Sequence, residues 1–158
     1  MRVGLLSDSH GRAARTRDAV RLLVGRGADI LLHMGDIETE EVLDQLAGLT
    51  AHVVFGNNDD EISLGRYAAS IGLTVAHPLG QLSVDGKTIA FTHGHLGSSL
   101  RDWRGNDYFV HGHTHQRRDE RREGTRIINP GALHRAPVYS VALLDPASDA
   151  LEFLDLGE

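Results

Sequence analysis

The chain repeats one pattern five times, in which a short apolar run ends in a polar turn that contains glycine. Apolar runs of this length, bounded by turn residues, are typical of strands that are buried on both faces. The five runs are VGLLSDSHG, DILLHMGD, HVVFGNND, TIAFTHGH and YFVHGHTH. We therefore predict five buried strands, each followed directly by a short polar segment.

Two helical patterns lie between the first of these strands. Residues 13–26 place four apolar side chains on one face: Ala13, Val20, Leu23 and Val24. Residues 39–47 begin at Thr39, which is suited to cap a helix, and continue with two glutamates. Strands that alternate with helices are parallel and joined by right-handed crossovers, so their carboxyl ends meet at one edge of the sheet. We therefore expect the polar segments to converge.

After residue 72 the pattern changes to pairs of strands with short turns. Asp85-Gly86 is a strong hairpin signal within GQLSVDGKTIAFTH, and similar pairs flank Gly124 and join VYSVALLD to LEFLDL. No repeat, linker or shift in composition marks a second unit, so we expect one domain over residues 1–158. The prediction is an α/β fold in which one largely parallel and one more antiparallel sheet pack face to face.

Composition excludes several classes of protein. The chain is 41% hydrophobic and 24% charged, which is typical of an ordinary globular protein. No apolar run approaches the roughly 20 residues that a membrane helix needs, and the amino terminus lacks the apolar core of a signal peptide. We therefore expect a cytoplasmic protein without membrane contact. The net charge of -6 argues against non-specific nucleic-acid binding. The arginines of QRRDERREG are interrupted by acids, which favours a solvated hairpin over a basic rim.

Each polar segment alone is best explained as a turn, because Asp and Asn hydrogen-bond the local backbone. Together, however, they would bury two carboxylates and several imidazoles at one sheet edge, which costs several kcal/mol unless a cation compensates. We expect the isolated histidines elsewhere to be ordinary hydrogen-bonding or packing residues. These are His33, His52, His77 and His134.

The donor types indicate which metal the cluster binds. Carboxylate, imidazole and amide donors without any thiolate favour manganese, iron, cobalt, nickel or zinc, and so much imidazole disfavours magnesium. Seven donors exceed the needs of one tetrahedral ion and suit two ions that share a ligand. With Asp8 and Asp36 as the only charged donors, two divalent ions leave an excess of about two positive charges, which attracts an anion. The chemistry that fits is phosphoester hydrolysis by a hydroxide held between the ions.

Five motifs occur in order and are followed by INPGA: Asp8-x-His10, Gly35-Asp36, Gly56-Asn57-x-Asp59, His93-Gly94-His95 and Gly112-His113-x-His115. In this order they resemble the calcineurin-like metallophosphoesterases. The short chain and its hairpins resemble the small bacterial and archaeal phosphodiesterase branch of that family. The resemblance runs from residue 3 to about residue 144. It implies a four-layer αββα sandwich of two mixed β-sheets flanked by helices, with a dinuclear metal site at the sheet edge.

The resemblance also implies a division of the ligands between two ions. One ion would be held by Asp8, His10, Asp36 and His115. The other would be held by Asp36, Asn57, His93 and His113, so that Asp36 bridges the two. His111 lies outside the motif, and we expect it to pack or to support a ligand. We predict manganese as the first choice, with nickel, iron, cobalt or zinc as alternatives.

The chain departs from the larger phosphatases of the family at Asn58, where they have a histidine that assists the leaving group. The proton must then come from a metal-bound water or from His95, which lies two residues beyond His93 on the same side of an extended segment. The alternative is that His95 only hydrogen-bonds the turn at Gly94. We assign His95 and Asn57 to the catalytic set.

Two further departures concern the surroundings of the site. Residues 96–106 are short for the helix that the family has before its last metal strand, which predicts an open wall of the pocket. NPGA stands where the family commonly has a serine after the glycine, and we expect Asn129 to orient a loop of the site.

Two functions from different classes fit this sequence. The first is an enzyme, a metal-dependent phosphodiesterase or phosphatase that acts on a small phosphoester and favours diesters. A homo-oligomer is compatible with this function. The second is a metal-binding scaffold for protein contacts, because a eukaryotic retromer subunit resembles the family. A scaffold can lose ligands without cost, whereas every matched position here holds a competent donor. The sequence therefore favours the enzyme.

Overall fold

This computed structural model describes residues 1–97 and 103–157, and they contain eleven strands and three helices. Six strands form the first sheet: β1 (Val3–Leu6), β2 (Ile30–His33), β3 (Ala51–Val53), β4 (Thr74–Val75), β10 (Tyr139–Asp145) and β11 (Ala150–Leu156). Five form the second: β5 (Leu79–Val84), β6 (Lys87–Thr92), β7 (Tyr108–Val110), β8 (Arg118–Arg122) and β9 (Thr125–Asn129). All five strands predicted from the repeated pattern are present, as β1, β2, β3, β6 and β7.

The first sheet has the strand order β11-β10-β1-β2-β3-β4, in which β1 to β4 are parallel and β10 is antiparallel to both of its neighbours. Strands β1 and β2 are buried along their whole length, because helices cover one face of the sheet and the second sheet covers the other. This explains why their sequences are continuous apolar runs rather than alternating ones.

The second sheet has the order β5-β6-β7-β9-β8 and is evenly mixed. Strands β5 and β6 form the hairpin predicted at Asp85-Gly86, and β8 and β9 form the hairpin predicted at Gly124. The pairs β6-β7 and β7-β9 are parallel and the pairs β5-β6 and β8-β9 are antiparallel, so this sheet is mixed, as the resemblance implied. A hairpin signal reports only on neighbouring strands, and it cannot show that β7 enters between β6 and β9.

Three helices, α1 (Ala13–Gly25), α2 (Glu40–Asp44) and α3 (Glu61–Ser70), pack on the outer face of the first sheet. Helix α1 matches its prediction except at Val24, which is 43% exposed. Helix α2 is shorter than the predicted 39–47, and Thr39 is its N-cap as expected. Helix α3 was not predicted, because only Leu64 and Ala68 are buried on it and its apolar pattern is sparse.

The core has three parts that correspond to the layers. The largest lies between α1 to α3 and the first sheet, and a second lies between the two sheets. A small third cluster, with Phe109 at its centre and Trp103 against it, lies on the outer face of the second sheet. No described residue of that face is helical. The predicted open wall over residues 96–106 falls partly outside the described residues, which omit 98–102.

The topology brings two sets of carboxyl ends to one edge of the molecule. Strands β1, β2 and β3 run in parallel in the first sheet, as do β6, β7 and β9 in the second. Backbone hydrogen bonds join the loops that follow them, from Asp8 N to the Gly35 carbonyl (2.9 Å) and from Gly112 N to the His93 carbonyl (3.0 Å). None of the helices in residues 1–97 and 103–157 is long and apolar enough to cross a membrane.

Candidate metal centre

The residues that turn into the site have an unusual backbone conformation. Asp8, His10, Asp36, His113 and His115 all have positive φ, between 45° and 71°. This left-handed region is uncommon for residues other than glycine and carries strain that surrounding contacts must hold. Here the loops turn sharply at the strand ends, so that side chains from both sheets face a common point.

The first group of donors joins the loops after β1 and β7. His115 Nε2 lies 3.3 Å from Asp8 Oδ1, and His10 Nε2 lies 3.7 Å from the same oxygen. The two imidazole nitrogens are 3.3 Å apart. These three residues could hold one metal ion, since their donor atoms lie within 4.8 Å of one another.

The second group joins the loops after β2, β3, β6 and β7. His93 Nε2 lies 3.2 Å from Asn57 Oδ1, 3.2 Å from His113 Nδ1 and 3.4 Å from Asp36 Oδ2. Asp36 Oδ2 is also 3.4 Å from His10 Nε2, so it belongs to both groups. All seven residues predicted as ligands are therefore brought together. The donor atoms of Asp8, Asp36 and His93 also lie within 4.8 Å of one another, so the division of the ligands between two ions stays a prediction.

The donor atoms fit a cation. Asp8 Oδ1 is buried and has no hydrogen-bond partner of acceptable geometry, although two imidazoles approach it. Two imidazole nitrogens at about 3.3 Å either share a proton or direct their lone pairs at a common ion, and this arrangement occurs twice here. A buried cluster of this kind requires compensation by positive charge.

Protons and metal compete for these groups. Burial alone would raise the pKa of Asp8, but the neighbouring His10 and His115 outweigh it and hold the pKa well below its usual value. Asp8 in turn raises the pKa of His10 and of His115. Burial lowers the pKa of His93, but Asp36 reverses this effect and the net direction is upward. The carboxylates thus attract positive charge, which a metal ion supplies in place of protons.

Other groups orient the imidazoles through their second nitrogen. His10 Nδ1 lies 2.5 Å from Glu38 Oε2, and His93 Nδ1 lies 2.7 Å from the Met34 carbonyl. The Arg135 carbonyl lies 3.3 Å from His115 Nδ1. An acceptor at one ring nitrogen keeps the proton there and leaves the lone pair of the other nitrogen facing the site. Neither Glu38 nor these carbonyls were recognised from the sequence. Main-chain acceptors leave no signal in it, and Glu38 lies outside the five recognised motifs.

Asp59 connects two of the loops that carry the donors. Its Oδ1 accepts hydrogen bonds from the backbone N–H groups of Ile37 (2.8 Å) and Glu38 (2.7 Å), and its Oδ2 accepts from Gly56 N (2.9 Å). Burial raises the pKa of Asp59 in spite of these bonds. Asp59 was part of a recognised motif without an assigned role, and the structure gives it one in holding Asp36 and Asn57 together.

Asparagines position the remaining parts. Asn58 donates from its backbone N to Asp36 Oδ1 and from Nδ2 to Asp36 Oδ2, at 3.1 Å in both cases. Asn129 Nδ2 donates to the Gly112 carbonyl (3.2 Å) and to Thr114 Oγ1 (3.0 Å). The expectation that Asn129 orients a site loop is confirmed, since that loop carries His113.

His95 and His111 differ in their surroundings. The His95 ring lies 5.3 Å from the His93 ring and 6.4 Å from the His113 ring, and its buried Nδ1 has no hydrogen-bond partner. Burial, then the neighbouring histidines, lower its pKa. His111 instead lies between the Gly112 carbonyl (2.9 Å) and the Arg118 guanidinium (3.2 Å), so it supports the loop as expected. The alternative role of His95, a bond to the turn at Gly94, has no counterpart in these contacts.

The four isolated histidines do not all lie away from the site. His33 is buried and satisfied, with Ser9 Oγ at 2.8 Å and Gly35 N at 3.1 Å, and His77 lies 3.2 Å from Phe55 N. His52 packs edge-on against a phenylalanine ring. His134, by contrast, lies 5.3 Å from the His10 ring, so it borders the first donor group.

The sequence profile of the calcineurin-like phosphoesterase superfamily domain matches residues 1–149. The chain belongs to this superfamily. Membership places it among metal-dependent hydrolases of phosphoesters. It is 28% identical over 138 residues to the phosphodiesterase MJ0936 of Methanocaldococcus jannaschii, and the match covers 83% of each chain.

Several solved structures, of phosphoesterases and of Vps29, have the same fold. A novel archaeal phosphodiesterase superposes with a TM-score of 0.89 at 22% identity, over 99% of this chain and 100% of that one. The phosphoesterase YfcE from E. coli gives 0.77 at 22% identity, with the same coverage. Vps29 of Entamoeba histolytica complexed with zinc gives 0.68 at 23% identity, over 98% and 99%.

Proposed function

We propose that this superfamily member is a phosphodiesterase that hydrolyses a small phosphoester with two divalent ions, of which manganese is the first choice. The observation that carries the proposal is the sharing of one oxygen: Asp36 Oδ2 lies 3.4 Å from His10 Nε2 and 3.4 Å from His93 Nε2. One carboxylate oxygen between two sets of imidazoles suits a ligand that bridges two ions. The similarity to the archaeal phosphodiesterase supports diesters as the class of substrate.

Divalent ions bound at such a site would stabilise charge on the phosphoryl oxygens and would lower the pKa of water, so that hydroxide becomes available as the nucleophile at neutral pH. The residues of the chain hold and orient the reactants. We assign Asp8, His10, Asp36 and His115 to one ion, and Asp36, Asn57, His93 and His113 to the other. Only Asp8 and Asp36 of these carry negative charge, so the loaded site keeps a net positive charge that attracts a phosphoester.

Proton donation to the leaving group is assigned to His95. Asn58 cannot supply a proton, because an amide is far too weak an acid, and its hydrogen bonds serve to hold Asp36. His95 lies beside the second donor group, with its ring 5.3 Å from the His93 ring, and no described protein group competes for a proton on its Nδ1. A lowered pKa makes the protonated ring a stronger acid.

A cavity beside the first donor group can hold one organic arm of a phosphoester. Its volume is about 290 Å³, and it is lined by His115, Gln116, Arg117, Gly131, Pro137, Val138 and Ser140. A diester has two organic arms, of which one leaves and one stays on phosphorus. Because the wall of the cavity includes a proposed ligand, His115, an arm can extend into the cavity while phosphorus lies at the ions.

The test is hydrolysis by chelated protein that is reloaded separately with manganese, nickel, zinc or magnesium. We expect chelation to abolish activity, and manganese or a neighbouring transition metal to restore it. Bis-p-nitrophenyl phosphate should be a better substrate than p-nitrophenyl phosphate at neutral pH. Full activity in metal-free protein would contradict the metal requirement, and a faster monoester would contradict the diester preference.

The shared oxygen can be tested through metal content. Asp36→Asn should lower the number of ions bound per chain at both sites, whereas Asn57→Ala should lower it mainly at one. Asp18→Asn, an exposed position on α1, is the matched control for the loss of a carboxylate. Equal metal content in Asp36→Asn and the wild type, measured by plasma mass spectrometry, would rule out the bridging role.

The scaffold alternative has some support in the fold likeness to Vps29, a vacuolar protein sorting protein by name. It has less support than the enzyme, because all seven donor positions are filled and their donor atoms converge. The reloading experiment separates the two, since a scaffold would bind metal and hydrolyse nothing. The cytoplasmic location and the homo-oligomer expected from the sequence stay predictions.

A further inference from the structure

One rim of the candidate metal centre, formed by Arg12, His134 and Arg135, is rich in cations without carboxylate partners. Eight of the arginines in the described part of the chain lie within ion-pair distance of an acid. The other six described arginines have no such acid, although the protein as a whole has a net charge of -6. They are Arg2, Arg12, Arg15, Arg21, Arg66 and Arg135, and among them Arg12 and Arg135 belong to this rim. In an acidic protein, exposed arginines left unpaired beside an active site are suited to bind an anionic ligand.

Two contacts place this cationic rim against the first donor group. The His134 ring lies 5.3 Å from the His10 ring. The Arg135 carbonyl lies 3.3 Å from His115 Nδ1, so the backbone of the rim is attached to a proposed ligand while the Arg135 side chain is exposed. Arg12 follows His10 by two residues and caps α1 without a side-chain hydrogen bond.

Arg15 holds the loop of the cationic rim in place. Its guanidinium donates to the Leu133 carbonyl (2.6 Å) and lies 3.8 Å above the Tyr139 ring. Arg15 is therefore occupied by the protein, and it acts as a positioning residue. Arg12 and Arg135 are the two guanidinium groups left for a ligand.

The electrostatic environment agrees with this geometry. Burial, and then the positive charge of Arg12, lower the pKa of His134, and Arg135 and Arg15 act in the same direction. Three acids lie beside His10: Asp8 and Asp36 belong to the candidate metal centre, and Glu38 is engaged by the His10 ring at 2.5 Å. The cationic rim thus adds positive charge next to a metal centre that is itself positive when loaded.

We propose that the cationic rim binds a second phosphate group of the substrate, carried on an arm of the diester, so that the substrate class is small phosphodiesters with an additional phosphate. This proposal rests on the phosphodiesterase function proposed above. Guanidinium groups form paired, charge-assisted hydrogen bonds to phosphate oxygens. Two of them match the charge of a phosphate monoester, which is close to -2 at neutral pH, better than that of a carboxylate.

The experiment compares two p-nitrophenyl diesters whose second arm ends in either a phosphate or a hydroxyl group. The quantity measured is the ratio of kcat/KM for the phosphate-bearing diester to that for the hydroxyl-bearing one. Arg12→Gln and Arg135→Gln should each lower this ratio on the order of 10-fold, and the double variant more. Arg21→Gln, on the exposed side of α1, should leave the ratio unchanged.

Conservative variants separate charge from folding. Arg12→Lys and Arg135→Lys keep the positive charge, so they should retain most of the ratio. Raising the salt concentration should reduce the wild-type ratio more than that of the double variant, because the contacts are exposed. A ratio that is the same in the wild type and the double variant would overturn the proposal.

A binding measurement keeps this proposal distinct from the proposed function. Calorimetry with the metal-loaded protein compares propane-1,3-diol bisphosphate with propyl phosphate, and only the bisphosphate should lose affinity in the double variant. If the wild type hydrolyses no diester, the proposed function fails while this comparison still tests the cationic rim. If the variants change the rate only for a short oligonucleotide and not for the small phosphate-bearing diester, the assignment to small molecules is wrong.

Discussion

Replacing Gly56 by alanine tests whether the position of Asp36 determines metal binding. A Cβ atom built on Gly56 would lie 2.1 Å from Asp36 Oδ1 and 2.8 Å from both Asp36 Cγ and Asp36 N. Real Cβ atoms essentially never approach closer than 3.0 Å, so the carboxylate must move by about 0.9 Å or more. Gly56 does not need a positive φ, and the added methyl group therefore acts through its contacts with Asp36, which include the backbone N, and not through backbone strain at residue 56.

The carboxylate of Asp36 has little room to move. Asn58 donates to both of its oxygens at 3.1 Å, and two imidazoles lie 3.4 Å from Oδ2. A displacement on the order of 1 Å within a catalytic arrangement costs about 100-fold in rate, and overpacking costs about 1–3 kcal/mol of unfolding free energy. We therefore expect Gly56→Ala to lose about 100-fold in kcat/KM, and to bind less metal at both sites.

The assay combines metal content per chain, hydrolysis of bis-p-nitrophenyl phosphate and urea unfolding. Gly25→Ala is the matched control, since nothing lies within 4 Å of its added Cβ and its φ is not positive. The control should keep its metal and its rate. Normal metal content and rate in folded Gly56→Ala would refute the argument that Asp36 is held in place at the centre of the site.

Three further predictions follow from individual side chains. Asp59→Asn should lower metal affinity, measured by titration with metal, by about 10-fold to 100-fold, because Asp59 accepts three backbone hydrogen bonds from the loops of the site. The control Asp60→Asn, at a helix N-cap, should have little effect in the same titration. In metal-free protein, burial lowers the pKa of His33 to about 4. As pH falls from 6.5 to 4, the unfolded state binds a proton at His33 before the folded state does, so the free energy of unfolding should fall by about 3 kcal/mol over that range. The loss should be absent in His33→Gln, and parallel pH curves of unfolding for the two proteins would disprove it. His95→Ala with normal metal content should lose on the order of 100-fold on alkyl esters and little on nitrophenyl esters, and equal losses across leaving groups would remove His95 from the mechanism.

The strands and the donor residues could be predicted from the sequence because both are local patterns. An apolar run followed by a glycine-containing polar turn identifies a strand and the residues that leave its carboxyl end, without knowledge of any partner. Parallel crossovers then require that Asp8, Asp36 and Asn57 meet at one edge. The ordered motifs extended this prediction to the histidines after β6 and β7.

Only the tertiary structure decided which nitrogen each histidine turns to the site. His10, His93 and His115 present Nε2 because Glu38 and two backbone carbonyls face their Nδ1 atoms, whereas His113 presents Nδ1. These acceptors come from residues up to 59 positions away in the chain. The position of His134 beside His10 depends in the same way on how the loop after β9 folds back over β1. Such contacts arise from packing between distant segments, which local sequence patterns do not encode.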